Sequence, residues 1–109
     1  MKIKDNCYDD EMTLLEFDEK NDLELEIYER TGWWNPNFGE DGRYYCHFKN
    51  SDIKNGNMLV GVSGDGRTKQ AAVDNYVGRI SDKKLVIDAL KKERREIRVP
   101  RLTGSGVKF

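Results

Sequence analysis

The stretch GVSGDGRTKQAAVDNYVGRI, residues 61–80, decides how this chain is read, because it passes from an extended piece into an amphipathic helix. Thr68 stands where an N-cap hydroxyl accepts from an early backbone N–H, and Ala72, Val73, Tyr76, Val77 and Ile80 recur at i, i+1, i+4, i+5 and i+8. That spacing gathers one apolar face and predicts a helix from Thr68 to about Ile80, lying on a sheet. Gly64 and Gly66 invite a second reading, since backbone N–H groups at the mouth of a helix favour an anion. The stretch lacks the lysine–serine ending of a phosphate loop and the third glycine of a dinucleotide fingerprint, and Asp65 sets a negative charge between its two glycines. The glycines are therefore read as the sharp reversal from strand to helix.

Working outward, MLVGVS (58–63) precedes the reversal as a strand, and Asn55-Gly56 marks a turn within KNSDIKNGN (49–57). RYYCHF (43–48) is a strand with Tyr44, Cys46 and Phe48 on one side and Tyr45 and His47 on the other. Ahead of it, TGWWNPNFGEDG (31–42) is a loop with Trp33, Trp34 and Phe38 among its turn residues. MTLLEFDEKNDLELEIYE (12–29) reads as a hairpin: Leu15 and Phe17 alternate with polar neighbours, and Leu23, Leu25 and Ile27 alternate with Glu24, Glu26 and Tyr28. Beyond the helix, KKLVIDA (83–89) and REIRVP (95–100) are strands joined through LKKER, and RLTGSGVKF (101–109) is a small-residue tail expected to be flexible from about residue 103. The order β-β-β-β-α-β-β predicts an α+β fold. One twisted, mostly antiparallel sheet of five to six strands would carry one helix on one face, and residues 1–109 would form one domain.

Composition narrows the function. Of 109 residues 37% are hydrophobic and 36% charged, so the core is thin, and an uncovered sheet face would leave apolar area that a homodimer could bury. No run approaches the roughly 18 apolar residues of a membrane span. The opening MKIKDNCYDDEM has no apolar export region, so a cytoplasmic protein without membrane association is expected. Two cysteines without CxxC spacing and one histidine supply no recognisable metal set, and no cofactor signature is present, so none is expected. Cys46 reads as a buried small apolar residue; it adjoins His47, but strand neighbours face opposite ways and cannot form a nucleophile–base pair. A non-catalytic protein is expected.

Charge is polarised along the chain. Residues 1–30 carry eleven acids against four bases, residues 83–109 nine bases against three acids, and the middle is balanced. Three surfaces could meet a partner. The first is the aromatic loop with Trp33, Trp34 and Phe38, since aromatic residues dominate interface hot spots. The second is the acidic strand with Glu24, Glu26 and Tyr28, suited to a basic surface. The third is the basic hairpin with Lys91, Lys92, Arg94, Arg95, Arg98 and Arg101, which could follow nucleic-acid phosphates, although Glu93 and Glu96 interleave with it.

At the helix and its flanks, GVSGDGRTKQAAVDNYVGRIS resembles the strand-turn-helix of HicB-like antitoxin domains, and covers about a fifth of the chain. The longer pattern G-D-G-x-T-x-x-x-A-x-x-x-Y, followed by ISDKKLVIDA and RREIRVP, is similar to small accessory proteins of phages and prophages. Some proteins of that kind block host defences such as CRISPR effectors by binding them. The HicB-like resemblance implies dimerisation and toxin binding, but the chain lacks the separate DNA-binding segment such proteins often append. The expectation is an accessory or anti-defence protein that binds and inhibits a host protein, with nucleic-acid binding through the basic hairpin as the alternative.

Overall fold

A computed structural model describes residues 11–30 and 42–109. It is α+β, with two helices and seven strands: α1 Leu14–Asn21, β1 Leu25–Glu29, β2 Tyr44–Phe48, β3 Ser51–Asn55, β4 Met58–Val60, β5 Gly64–Gly66, α2 Lys69–Ile80, β6 Lys84–Ile87 and β7 Arg95–Arg98. The strands form two antiparallel sheets, ordered β1-β2-β5 and β4-β3-β6-β7, where one sheet and one helix were expected.

The first correction falls on residues 14–21, which form a helix and not the first arm of a hairpin. Thr13 and Glu16 make a reciprocal capping box, the Thr13 hydroxyl accepting from the Glu16 N–H at 3.2 Å and the Glu16 carboxylate from the Thr13 N–H at 3.1 Å. Leu14 and Phe17, three residues apart, are buried on one side while Leu15 is exposed. Asp22 closes the helix in the left-handed region. β1 therefore pairs with β2, Leu25 facing Phe48 through Glu29 facing Tyr44.

The second correction divides the sheet. Between β2 and β3 the chain bends at Asn50, φ 56°, and leaves the first sheet for the second, with the Ser51 hydroxyl donating to the Phe48 carbonyl at 2.6 Å. Residues 51–55, read as part of a turn, are a strand between β4 and β6. Only Ile53 of β3 is buried, so the strand carries little apolar signal. The expected turn survives at Gly56, φ 63°, in the two-residue connection from Asn55 to Met58, where a primed hairpin turn needs positive φ.

Helix α2 is as predicted, capped by the Thr68 hydroxyl accepting from the Ala71 N–H at 3.0 Å and burying Ala72, Val73, Tyr76, Val77 and Ile80. Gly64 and Gly66 are not a reversal. They are the core-facing residues of β5, and a Cβ on Gly64 would lie 2.2 Å from the Ala72 carbonyl oxygen, one on Gly66 2.4 Å from the Ala72 nitrogen. Their missing side chains let β5 lie directly on α2.

One cluster joins both sheets and both helices, running from Leu14 and Phe17 through Cys46 and Phe48 to Tyr76, Ile80, Leu85 and Val99. Phe48 is its hinge, 6.1 Å from the Phe17 ring and edge-on to Tyr76 at 5.7 Å. The buried Tyr76 hydroxyl accepts from the Phe48 N–H at 3.1 Å, so this polar atom is satisfied where burial would otherwise be costly. The C-terminal stretch runs beside α1, where Gly104 and Ser105 carbonyls accept from the otherwise orphaned Leu14 and Leu15 N–H groups at 2.9 and 3.0 Å. Ser105 also takes a hydrogen bond from the Gln70 amide at 3.2 Å.

Candidate functional site

The register of β1 on β2 sorts the first sheet's two faces. Leu25, Ile27, Cys46 and Phe48 turn toward the core, leaving Glu26 opposite His47 and Tyr28 opposite Tyr45 on the outer face. There the Tyr28 and Tyr45 rings stack at 5.0 Å with 20° between their planes, and His47 continues the row at 5.6 Å from Tyr28 and 6.4 Å from Tyr45. Tyr28 is 37% exposed although it is a large aromatic residue in a sheet. Its hydroxyl donates to the Glu26 carboxylate, which raises the phenol above its ordinary range because ionising it would set two negative groups together.

Arg30 closes one end of this row. Its guanidinium carbon lies 4.4 Å from the Tyr45 ring centroid, Nη2 is 3.0 Å from Asp65 Oδ1, and Nη1 donates to the Gly42 carbonyl. Asp65 is in turn fixed by its own N–H, which donates to Asn75 of α2 at 3.0 Å. The Asn75 side chain thus ties the Asp65 backbone to α2, and the Asp65 carboxylate in turn pairs with Arg30.

The other end opens into a broad groove of about 540 Å³ between the sheets, lined by Glu26, Tyr28 and His47 on one side and by residues 50–52 and 88–91 on the other. Leu90 stands fully exposed on the turn that forms the rim. Asp88 Oδ1 is buried without a hydrogen-bond partner, Lys91 Nζ lying 3.9 Å away. His47 and Ser51 both line the groove, but each is tied to the same acceptor: Nδ1 of His47 is 3.0 Å from the Phe48 carbonyl oxygen and the Ser51 hydroxyl donates to it at 2.6 Å. Both side chains are thus turned to the Phe48 carbonyl oxygen. Cys46 lies across the sheet, wholly buried, its thiol donating to the Ala72 carbonyl at 3.5 Å. Among the described residues no three metal-ligating side chains converge, and no helix is long and apolar enough to cross a membrane.

The expected site residues divide accordingly. Glu26 and Tyr28 are on the outer face beside the groove. Glu24 precedes the strand and stands apart with Lys49, 3.7 Å away. Trp33, Trp34 and Phe38 lie outside the described residues. Tyr45, His47 and Arg30 are the additions; the alternation in RYYCHF already places Tyr45 and His47 away from the core, but only the pairing of β1 with β2 brings them beside Tyr28.

The basic residues do not converge on one surface. Arg94 pairs with Glu96 at 3.1 Å, Arg95 donates to the Asn21 carbonyl at 2.7 Å, and Arg98 shares a rung with Lys84 and Lys54 on the other face of the second sheet. Glu96, two residues along β7, shares that face, where Lys54, foremost, and Arg94 hold its carboxyl below the usual carboxylate range. That acid offsets part of the positive charge of Lys54, Lys84 and Arg94. Lys91, Lys92 and Arg101 are exposed.

No protein family, curated protein or solved structure matches the chain.

Proposed function

We propose that the protein is a non-catalytic binding module that engages a partner protein through the outer face of the β1-β2-β5 sheet. The observation that carries this is the row of Tyr28, Tyr45 and His47, the two tyrosines stacked and all three partly exposed on the sheet beside an open groove. Rings held in place by strand register lose little freedom on binding and bury large area, the property that concentrates binding energy at aromatic hot spots. Cross-strand ring pairs add to sheet stability, but rings left on the solvent face forgo much of the area they could bury, and a partner recovers it. The resemblance of residues 64–76 and of the stretches ISDKKLVIDA and RREIRVP to phage accessory proteins supports a setting in which the partner is a host protein and binding inhibits it, as an anti-defence protein does.

Nucleic-acid binding through Lys91, Lys92, Arg94, Arg95, Arg98 and Arg101 is the weaker reading, because ion pairing with Glu96 and the divergence of Arg95 and Arg98 break up the field that would follow phosphates. Affinity capture of the tagged protein's partners from bacterial lysate, with and without nuclease, tests the two against each other. A discrete protein that survives nuclease, is retained by Arg94→Ala/Arg95→Ala and is lost with Tyr28→Ala/Tyr45→Ala is the expected result. Nuclease-sensitive material lost only with the arginine variant overturns it.

A further inference from the structure

We infer that the groove beside Tyr28 and His47 receives an arginine side chain from a basic segment of the partner protein. The inference rests on the reading of this sheet face as a binding surface. Three carboxylates, Glu26, Asp52 and Asp88, line the groove against the ammonium of Lys91. A cation is the complement of that lining, and a phosphate is repelled by it.

The groove's aromatic wall narrows the choice of cation. A guanidinium is planar, stacks on rings and offers several N–H donors to carboxylates at once, whereas an ammonium is a compact, strongly hydrated charge. The chain itself shows the arrangement one step along the same face: Arg30 lies over Tyr45 at 4.4 Å with Asp65 at 3.0 Å. Tyr28 and His47, with Glu26 beside them, repeat the pairing of ring and carboxylate at the mouth of the groove. Carboxylates spread along a wall also suit a delocalised cation better than a metal ion, which needs donors converging on a point.

The test is a nuclear magnetic resonance titration of the full chain with capped tetra-arginine, tetra-lysine and tetra-glutamate peptides. The arginine peptide should give saturable shifts at residues 26–28, 47, 50–52 and 88–91, the lysine peptide should bind several-fold more weakly, and the glutamate peptide should not bind. Tyr28→Ala should weaken arginine-peptide binding about tenfold, and Glu26→Gln, which keeps the side chain's size, should weaken it several-fold with the fold's other resonances unmoved. Equal binding of both basic peptides, or shifts spread over every acidic surface, would mean diffuse attraction and overturn the inference. Shifts that grow with protein concentration in the absence of peptide and vanish in Arg94→Ala would put a second copy in the groove and overturn the assignment to another protein. If partner capture needs Tyr28 and Tyr45 while the arginine peptide does not bind, the sheet face stands and this inference fails. If capture ignores those tyrosines, the sheet face fails first.

Discussion

At Gly64 there is no room for a side chain, since a Cβ would meet the Ala72 carbonyl oxygen at 2.2 Å and the Tyr76 nitrogen at 2.5 Å, both backbone atoms of α2. Gly64→Ala should therefore destabilise by about 3 kcal/mol or more, at the upper end of what overpacking costs. Gly78, within α2, has open space where a methyl group would stand, with nothing within 4 Å, and Gly78→Ala should stabilise by about 0.5–1 kcal/mol. Urea unfolding of the two variants checks both signs. Residue chemistry at Cys46 gives a second expectation. Burial pushes its thiol up to about 12 from an ordinary 9.0, outweighing a Gly64 backbone hydrogen bond that acts the other way. Between those values the unfolded chain releases a proton that the folded chain keeps, so this contribution to stability is intact below the ordinary thiol value and is lost as pH rises across the window. Iodoacetamide labelling mapped by peptide mass should accordingly find Cys46 protected at neutral pH until the chain unfolds; labelling of the folded protein at the unfolded rate would contradict its burial.

Elements with a strict period are legible in the sequence. Helix α2 carries five apolar residues on one face with a threonine cap, and β1, β2, β6 and β7 carry alternating or continuous apolar runs. Helix α1 is masked because the alternation of Leu23, Leu25 and Ile27 continues backward through Leu15 and Phe17 by coincidence of spacing. The signal that distinguishes it is Thr13-x-x-Glu16 before a run of helix formers without a β-branched residue. Thr13→Ala should lower stability by about 1 kcal/mol and speed amide exchange at residues 14–16, read by hydrogen-exchange mass spectrometry. An unchanged exchange rate there would mean that the carbonyls of Gly104 and Ser105 hold the helix start without the cap. β3 is hidden for another reason: its outer face holds Asp52 and Lys54, the latter paired to Glu96 at 3.5 Å, and a strand stabilised by cross-strand ions shows little apolar pattern.

Across the whole molecule, the α+β class follows from the order of elements, while the division into two sheets depends on crossings that no periodicity announces, the bend at Asn50 from β2 to β3 and the return from β4 to β5. The polarised charge is partly settled within the chain, since Lys49 pairs with Glu24, Arg94 with Glu96 and Arg30 with Asp65. Half of the candidate site is readable in advance, because alternation alone sends Glu26, Tyr28, Tyr45 and His47 away from the core. Their assembly into one row needs the register that sets Tyr28 opposite Tyr45, and Arg30 reaches Asp65 across 35 positions of sequence. The sheet face is tested most directly by hydroxyl-radical footprinting of the captured complex, read by mass spectrometry side chain by side chain. Binding through that face predicts that the partner shields Tyr28, Tyr45, His47 and Leu90 while Met58 and Phe109, exposed elsewhere, oxidise as in the free protein. Unchanged oxidation of Tyr28 and Tyr45, with protection at Met58 and Leu59 or along residues 95–101, would contradict it.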